Sequence, residues 1–154
     1  MGALWAASAR DSQPVGGDNS RFPPLDHPFG EPEFRRVIAE MVQEGADALL
    51  ITAAAENFPH RRLIIELAEK NRLAAIYPFA EYAKLGGLAA YAVDNDIGTR
   101  AAGYVHRLLQ GAKVSDLPYY MQTKVRLIIN LRTAKSLGLE LPPTLLARAD
   151  EVIE

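Results

Sequence analysis

Side chains able to do chemistry gather in three short stretches. Ala53, Glu56 and Asn57 lie in the first, Phe79 and Glu81 in the second, and Tyr91, Asp94 and Asp96 in the third. Carboxylates brought into one crevice could act as paired acid and base groups. No nucleophile or oxyanion motif accompanies them, and Asp94 and Asp96 precede a helical stripe, where Asp is an ordinary N-cap. No catalytic residue is therefore assigned, and the chain does not read as an enzyme. His27, His60 and His106 are far apart, each with at most one carboxylate four residues away (Glu31 for His27, Glu56 for His60), too thin a set for a metal. His60, beside Arg61 and Arg62 in a first helical turn, is expected at the surface, and the two arginines on a solvated face. Gly86-Gly87 lacks the spacing and the Lys-Ser/Thr of a nucleotide cradle and reads as a helix stop and turn, so no cofactor is expected. Tyr77, Phe79, Tyr82 and Tyr91 could wall an apolar or amino-acid-like ligand, and are equally ordinary as core and rim residues.

These stretches need elements to position them, and the pattern from residue 33 onward alternates helix and strand. Phe34, Val37, Ile38, Met41 and Val42 form one helical stripe between Pro32 and Gly45. Ala48 to Thr52 is a continuous apolar run, as in a strand buried on both faces. Asn57 and Pro59 mark the start of a helix striped by Leu63, Ile64, Leu67 and Ala68. Leu73 to Tyr77 is a second strand. A brief helix from Phe79 to Leu85 and a third strand from Leu88 to Ala92 follow. Asp94 or Asp96 caps a helix striped by Ile97, Ala101, Val105 and Leu108. Val125 to Leu131 is a β-rich run, followed by a short helix to Gly138 and a last helix opened by Pro142-Pro143. Strands separated by single helices imply parallel βαβ units, hence a three-layer α/β fold with a parallel, Rossmann-like sheet. Ligands in such sheets sit beyond the carboxyl ends of the strands. That places the candidate site in the exit loops Thr52–Asn57, Tyr77–Glu81 and Tyr91–Asp96.

The 154 residues suit one domain. Residues 1–24 are rich in Pro, Gly and Ser and read as an irregular tail, with Phe22, Leu25 and Phe29 available to pin the N-terminal stretch onto a surface. Residues 25–154 carry the domain. The net charge of −2 argues against a nucleic-acid partner held by electrostatics, and the lack of cysteine rules out disulfides, thiolate zinc sites and a Cys nucleophile. The first residues carry no basic stretch followed by an apolar one, so no signal peptide is read, and the chain as written would stay in the cytoplasm.

Several strings in order are distinctive: Glu56-Asn57-Phe58-Pro59-His60-Arg61-Arg62-Leu63-Ile64, then Ala75-Ile76-Tyr77-Pro78, Gly86-Gly87-Leu88, and Arg100-Ala101-Ala102-Gly103-Tyr104-Val105. Ile128-Ile129-Asn130-Leu131-Arg132-Thr133-Ala134-Lys135 and Pro142-Pro143 with Leu145-Leu146-Ala147-Arg148-Ala149-Asp150 continue the series. Together they resemble the ABC-transporter substrate-binding proteins of the tryptophan/tyrosine-binding type, over about residues 25–154. The resemblance implies a type I periplasmic-binding-protein fold, in which two α/β lobes close on a solute and deliver it to a permease. It implies an interlobe site for a small solute such as an aromatic amino acid, contacted here by Ala53, Glu56, Asn57, Phe79, Glu81, Tyr91 and Asp94. It also implies a periplasmic setting.

Two departures stand out. Only the C-terminal half of the family pattern is matched, and the helix after Tyr91 belongs to the lobe that is not represented. The solute-facing loops are also plainer than usual. Ala90-Tyr91-Ala92 stands where the family has Ser-Tyr-Gly, and Ala80 where it has Arg. Each lost polar anchor is worth roughly 1–3 kcal/mol of binding. The alternative reading is an assembly protein in which half-folds pair as a homodimer, exchanging the helix Ile97–Leu109 and the run Val125–Leu131.

Overall fold

The structure, a computed structural model, describes residues 4–7, 30–93, 97–121 and 123–154, with side chains placed from residue 30 onward apart from Ile97. Phe22, Leu25, His27, Phe29, Asp94 and Asp96 lie outside the described residues.

Helix α1 (Glu31–Gln43) starts with Pro in its first turn and buries Phe34, Val37, Ile38 and Met41, the stripe read from the sequence. Its outer face carries the ion pairs Arg35–Glu31 at 2.7 Å and Arg36–Glu40 at 2.6 Å, with a further Arg36–Glu33 pair. Exposed pairs of this kind contribute little. The chain then runs through β2 (Ala48–Ile51), α2 (Arg61–Lys70), β3 (Ala74–Tyr77), α3 (Ala80–Lys84) and β4 (Ala89–Val93). Next come α4 (Ile97–Leu109), β5 (Val125–Asn130), α5 (Leu131–Leu137), the single turn α6 (Pro143–Leu146) and β6 (Glu151–Ile153).

The α/β class is as expected. The sheet has six strands in sequence order, with β2, β3 and β4 parallel as the βαβ pattern requires. It is nevertheless mixed: β5 runs antiparallel to β4, and β6 is parallel to β5. The reason is geometric. The chain leaves the end of β4, traverses α4, and re-enters beside that end, with Val93 opposite Val125, so it must run back down the sheet. This corrects one reading: the sheet is not wholly parallel, and within the chain β5 is paired on both edges, by β4 and β6. A second correction concerns the tail. Leu4–Ala7 forms a strand, β1, antiparallel to β2, which covers the edge of the sheet.

One face of the sheet presents Leu49, Ile51, Ala75, Tyr77, Ala90 and Ile128 to a core shared with α1, α2 and α3. The other face is covered unevenly. Ile129 is buried, and α5 packs on β6. Leu50 and Tyr91 remain 48% and 60% exposed. Strand β2 is therefore buried on one face, not both.

The end of α3 shows why Gly86-Gly87 is required. Gly86 takes φ +112°, and the Gly87 N–H bonds back to the Tyr82 carbonyl at 2.8 Å, a closing turn that favours glycine. A Cβ on Gly87 would lie 2.6 Å from the Tyr77 ring. Asn130 caps α5 by accepting the Arg132 and Thr133 N–H groups, while its own amide donates to the Ala83 carbonyl at 3.0 Å, tying α5 to α3.

Helix α4 differs from the other long helices. None of its described side chains is buried, and it makes no extensive contact with another helix or strand. It is braced by its own return loop: the Tyr104 hydroxyl donates to the Pro118 carbonyl at 2.7 Å, and the Arg100 guanidinium lies 3.7 Å from the Tyr120 ring centre. Among the described residues, no helix is long and apolar enough to cross a membrane.

Candidate functional site

The parallel strands β2, β3 and β4 point their carboxyl ends the same way, so their exit loops share one end of the sheet. After β2, the chain makes a short 3-10 turn over Ala55–Asn57 before α2 begins at Arg61. The helix therefore starts later than Asn57 and Pro59 suggest. Asn57 is instead folded inward, 1% exposed. Its side-chain amide donates to the Thr52 carbonyl at 3.0 Å, and its backbone carbonyl accepts the Tyr82 hydroxyl at 3.2 Å. Asn57 thus ties the first exit loop to α3 through its backbone carbonyl.

The first two exit loops join through rings. Phe79 meets Phe58 edge-on, with centroids 5.9 Å apart and planes at 87°. Tyr82 stacks near Phe79 at 6.4 Å and against Tyr77 at 5.0 Å. Offset and edge-on pairs of this kind suit the ring quadrupole. Tyr77 and Tyr82 have phenol pKa values above the usual range because burial disfavours the phenolate. These two rings are core, whereas Phe79 is half-buried and Phe58 43% exposed at the loop surface.

Ala53, Glu56 and Glu81 are exposed around this cluster, Glu81 in the first turn of α3. Tyr91 lies elsewhere. It stands on the open face of the sheet, across from Leu127, while Tyr77 points into the helix-covered core. The first two loops are therefore assembled into one surface, and Tyr91 faces away from its aromatic base. Asp94 lies outside the described residues. His60, expected at the surface, is half-buried with its ring 5.0 Å from Phe34.

Phe58 and Arg61 were not singled out as site residues by sequence reasoning. The Arg61 guanidinium sits 4.7 Å from the Phe58 ring centre and donates to the Phe58 carbonyl at 2.9 Å. The available signal was Arg61 three residues after an aromatic at a helix start. A small cavity of about 10 Å³, room for about one water, lies at the opposite end of the strands between Leu73, Leu88, Thr133 and Leu137. It is too small to compete as a solute site.

No curated protein matches the chain. Its fold is similar to that of an ABC domain in complex with L-Trp from Streptococcus pneumoniae, at 22% identity and a TM-score of 0.71. That match covers 80% of this chain and 42% of the other. A conserved domain protein from Vibrio cholerae is similar at 21% identity and TM-score 0.70, over 79% of this chain and 41% of its own. A ligand-free, open substrate-binding protein with adhesive properties from Clostridium difficile matches at 20% identity and TM-score 0.53, over 80% and 41%. At these identities the likeness establishes the fold, and the chain spans less than half the length of each of these proteins. The family model for ABC transporter substrate binding proteins matches residues 33–153. With more than half of the chain under that model, the chain belongs to the ABC transporter substrate-binding protein family.

Proposed function

We propose that this chain forms part of a solute receptor that serves an ABC permease, and that it contacts a small solute, such as an aromatic amino acid, through the exit loops of β2 and β3. The observation that carries the reading is the meeting of these two loops through Phe58 and Phe79, backed by the buried Tyr82, at the carboxyl ends of parallel strands. Strand-end loops are where ligands of open α/β sheets sit. Ala53, Glu56 and Glu81 surround that contact. The family is one of substrate-binding proteins, which supports solute binding over catalysis. The bound L-Trp in the pneumococcal relative supports an aromatic amino acid as the first solute to try. Thermal-shift and dialysis measurements against the amino acids test the reading. A shift with aromatic members is expected, and no shift with any of them at millimolar concentration would count against it.

A second reading, assembly of copies as a homodimer, is favoured by one observation. The chain carries both an amphipathic helix without an extensive packing partner, α4, and a sheet face with Leu50 and Tyr91 exposed. Apolar surfaces of this kind favour association. Light scattering that finds only monomer would dismiss it.

A further inference from the structure

Arg61 is set apart from the arginines of α1. Arg35 and Arg36 are matched to Glu31, Glu33 and Glu40 on the same helix face. Arg61 forms no ion pair among the described residues, although Glu56 stands five positions before it in the same loop region. Its guanidinium instead lies over the Phe58 ring at 4.7 Å and uses one N–H on the Phe58 carbonyl. A guanidinium has five N–H donors in a rigid planar fork, so several remain to be satisfied. Stacking on an aromatic ring and bonding to the adjacent backbone fix that fork in direction. Phe58 is itself fixed, edge-on against Phe79, and still presents 43% of its surface.

Resting on the solute-receptor reading, we infer that Phe58 and Arg61 are specificity-determining residues of the strand-end site: Phe58 forms its apolar wall, and Arg61 selects a solute that carries a carboxylate. The division follows from the chemistry present. The neighbouring Ala53, Ala54 and Ala55 offer only methyl groups. Asn57 spends its amide on the Thr52 carbonyl. The guanidinium beside the exposed ring is the group that can take an anion in bidentate geometry, which matches a planar carboxylate.

The test compares two probes of similar shape and opposite charge, indole-3-propionate and tryptamine, by isothermal titration on the intact chain. The carboxylate is expected to bind at least roughly tenfold more tightly, as a charge-assisted hydrogen bond implies. Arg61→Gln should bring the ratio near one with the melting temperature unchanged. Arg61→Lys, which keeps charge and loses the fork, should give an intermediate ratio. Phe58→Ala should weaken both probes and, because the ring also steadies the guanidinium, lower the ratio less than Arg61→Gln does. If an amino acid binds and the ratio is flat in the parent chain, or survives Arg61→Gln, the inference is overturned and the receptor reading stands. If no probe and no amino acid binds, both fall.

Discussion

Helices α2 and α4 make an instructive pair. Both carry a clear apolar stripe at helical spacing. Helix α2 buries Ile64, Ile65, Leu67 and Ala68 between the sheet and its neighbours. Helix α4 leaves Val105 55% and Leu109 83% exposed, and leans on its own return loop through Tyr104, Arg107 and Arg100. The same local pattern thus produces a core element in one place and an unburied one in the other. Amphipathicity specifies that a helix has a side to bury, and says nothing of what buries it. Most helical stability in proteins comes from such packing, so the two regions should respond to mutation very differently.

The sharpest contrast should come from Phe34→Ala. Phe34 is fully buried in the α1–α2 core, so its truncation should cost about 3–5 kcal/mol of unfolding free energy, measured by chemical denaturation. A loss under about 1 kcal/mol would mean that the core is loosely packed. Next comes Asn57→Ala, which removes the side-chain bond that closes the first exit loop onto the Thr52 carbonyl and keeps the backbone carbonyl that accepts from Tyr82. A loss of about 1–3 kcal/mol is expected, with faster amide exchange in residues 52–58. Unchanged exchange there would show that the loop is held by other contacts.

The third prediction concerns pH. Tyr77 and Tyr82 have raised phenol pKa values in the folded chain, so the unfolded chain loses these protons first as pH rises. Their stabilising effect is complete below the unfolded value of about 10 and is lost as pH climbs towards the folded values. Thermal melts should therefore fall above pH ~10, and Tyr77→Phe should flatten that fall. An equally steep fall in the variant would assign it to other groups. The smallest effect belongs to Leu109→Ala in α4, within about 0.5 kcal/mol by chemical denaturation. A larger loss would reveal that α4 is packed in solution, and would erase the contrast with α2.

The legible part of the fold was periodic. Phe34, Val37, Ile38 and Met41 in α1, and Ile64, Leu67 and Ala68 in α2, are buried where the spacing put them. Strands β2 to β4 and the glycine turn at Gly86 were equally readable, because hydrophobic runs and positive φ leave local marks. The three-residue strand β6 left none, since Glu151-Val152-Ile153 is too short to show alternation. The candidate site was legible only as loops. Which loops joined, and that Tyr91 would stand on the opposite face from Tyr77, depended on sheet register.

The sequence by itself determined the class of elements, their order and the side each helix must bury, because these follow from local periodicity and turn chemistry. It also carried enough ordered strings to identify the family. Only the tertiary structure decided that β5 returns antiparallel to β4, that Asn57 serves the loop from within, and that the Arg61 guanidinium rests over the Phe58 ring. Each of these depends on segments meeting across space, a relation that residue spacing along the chain does not encode.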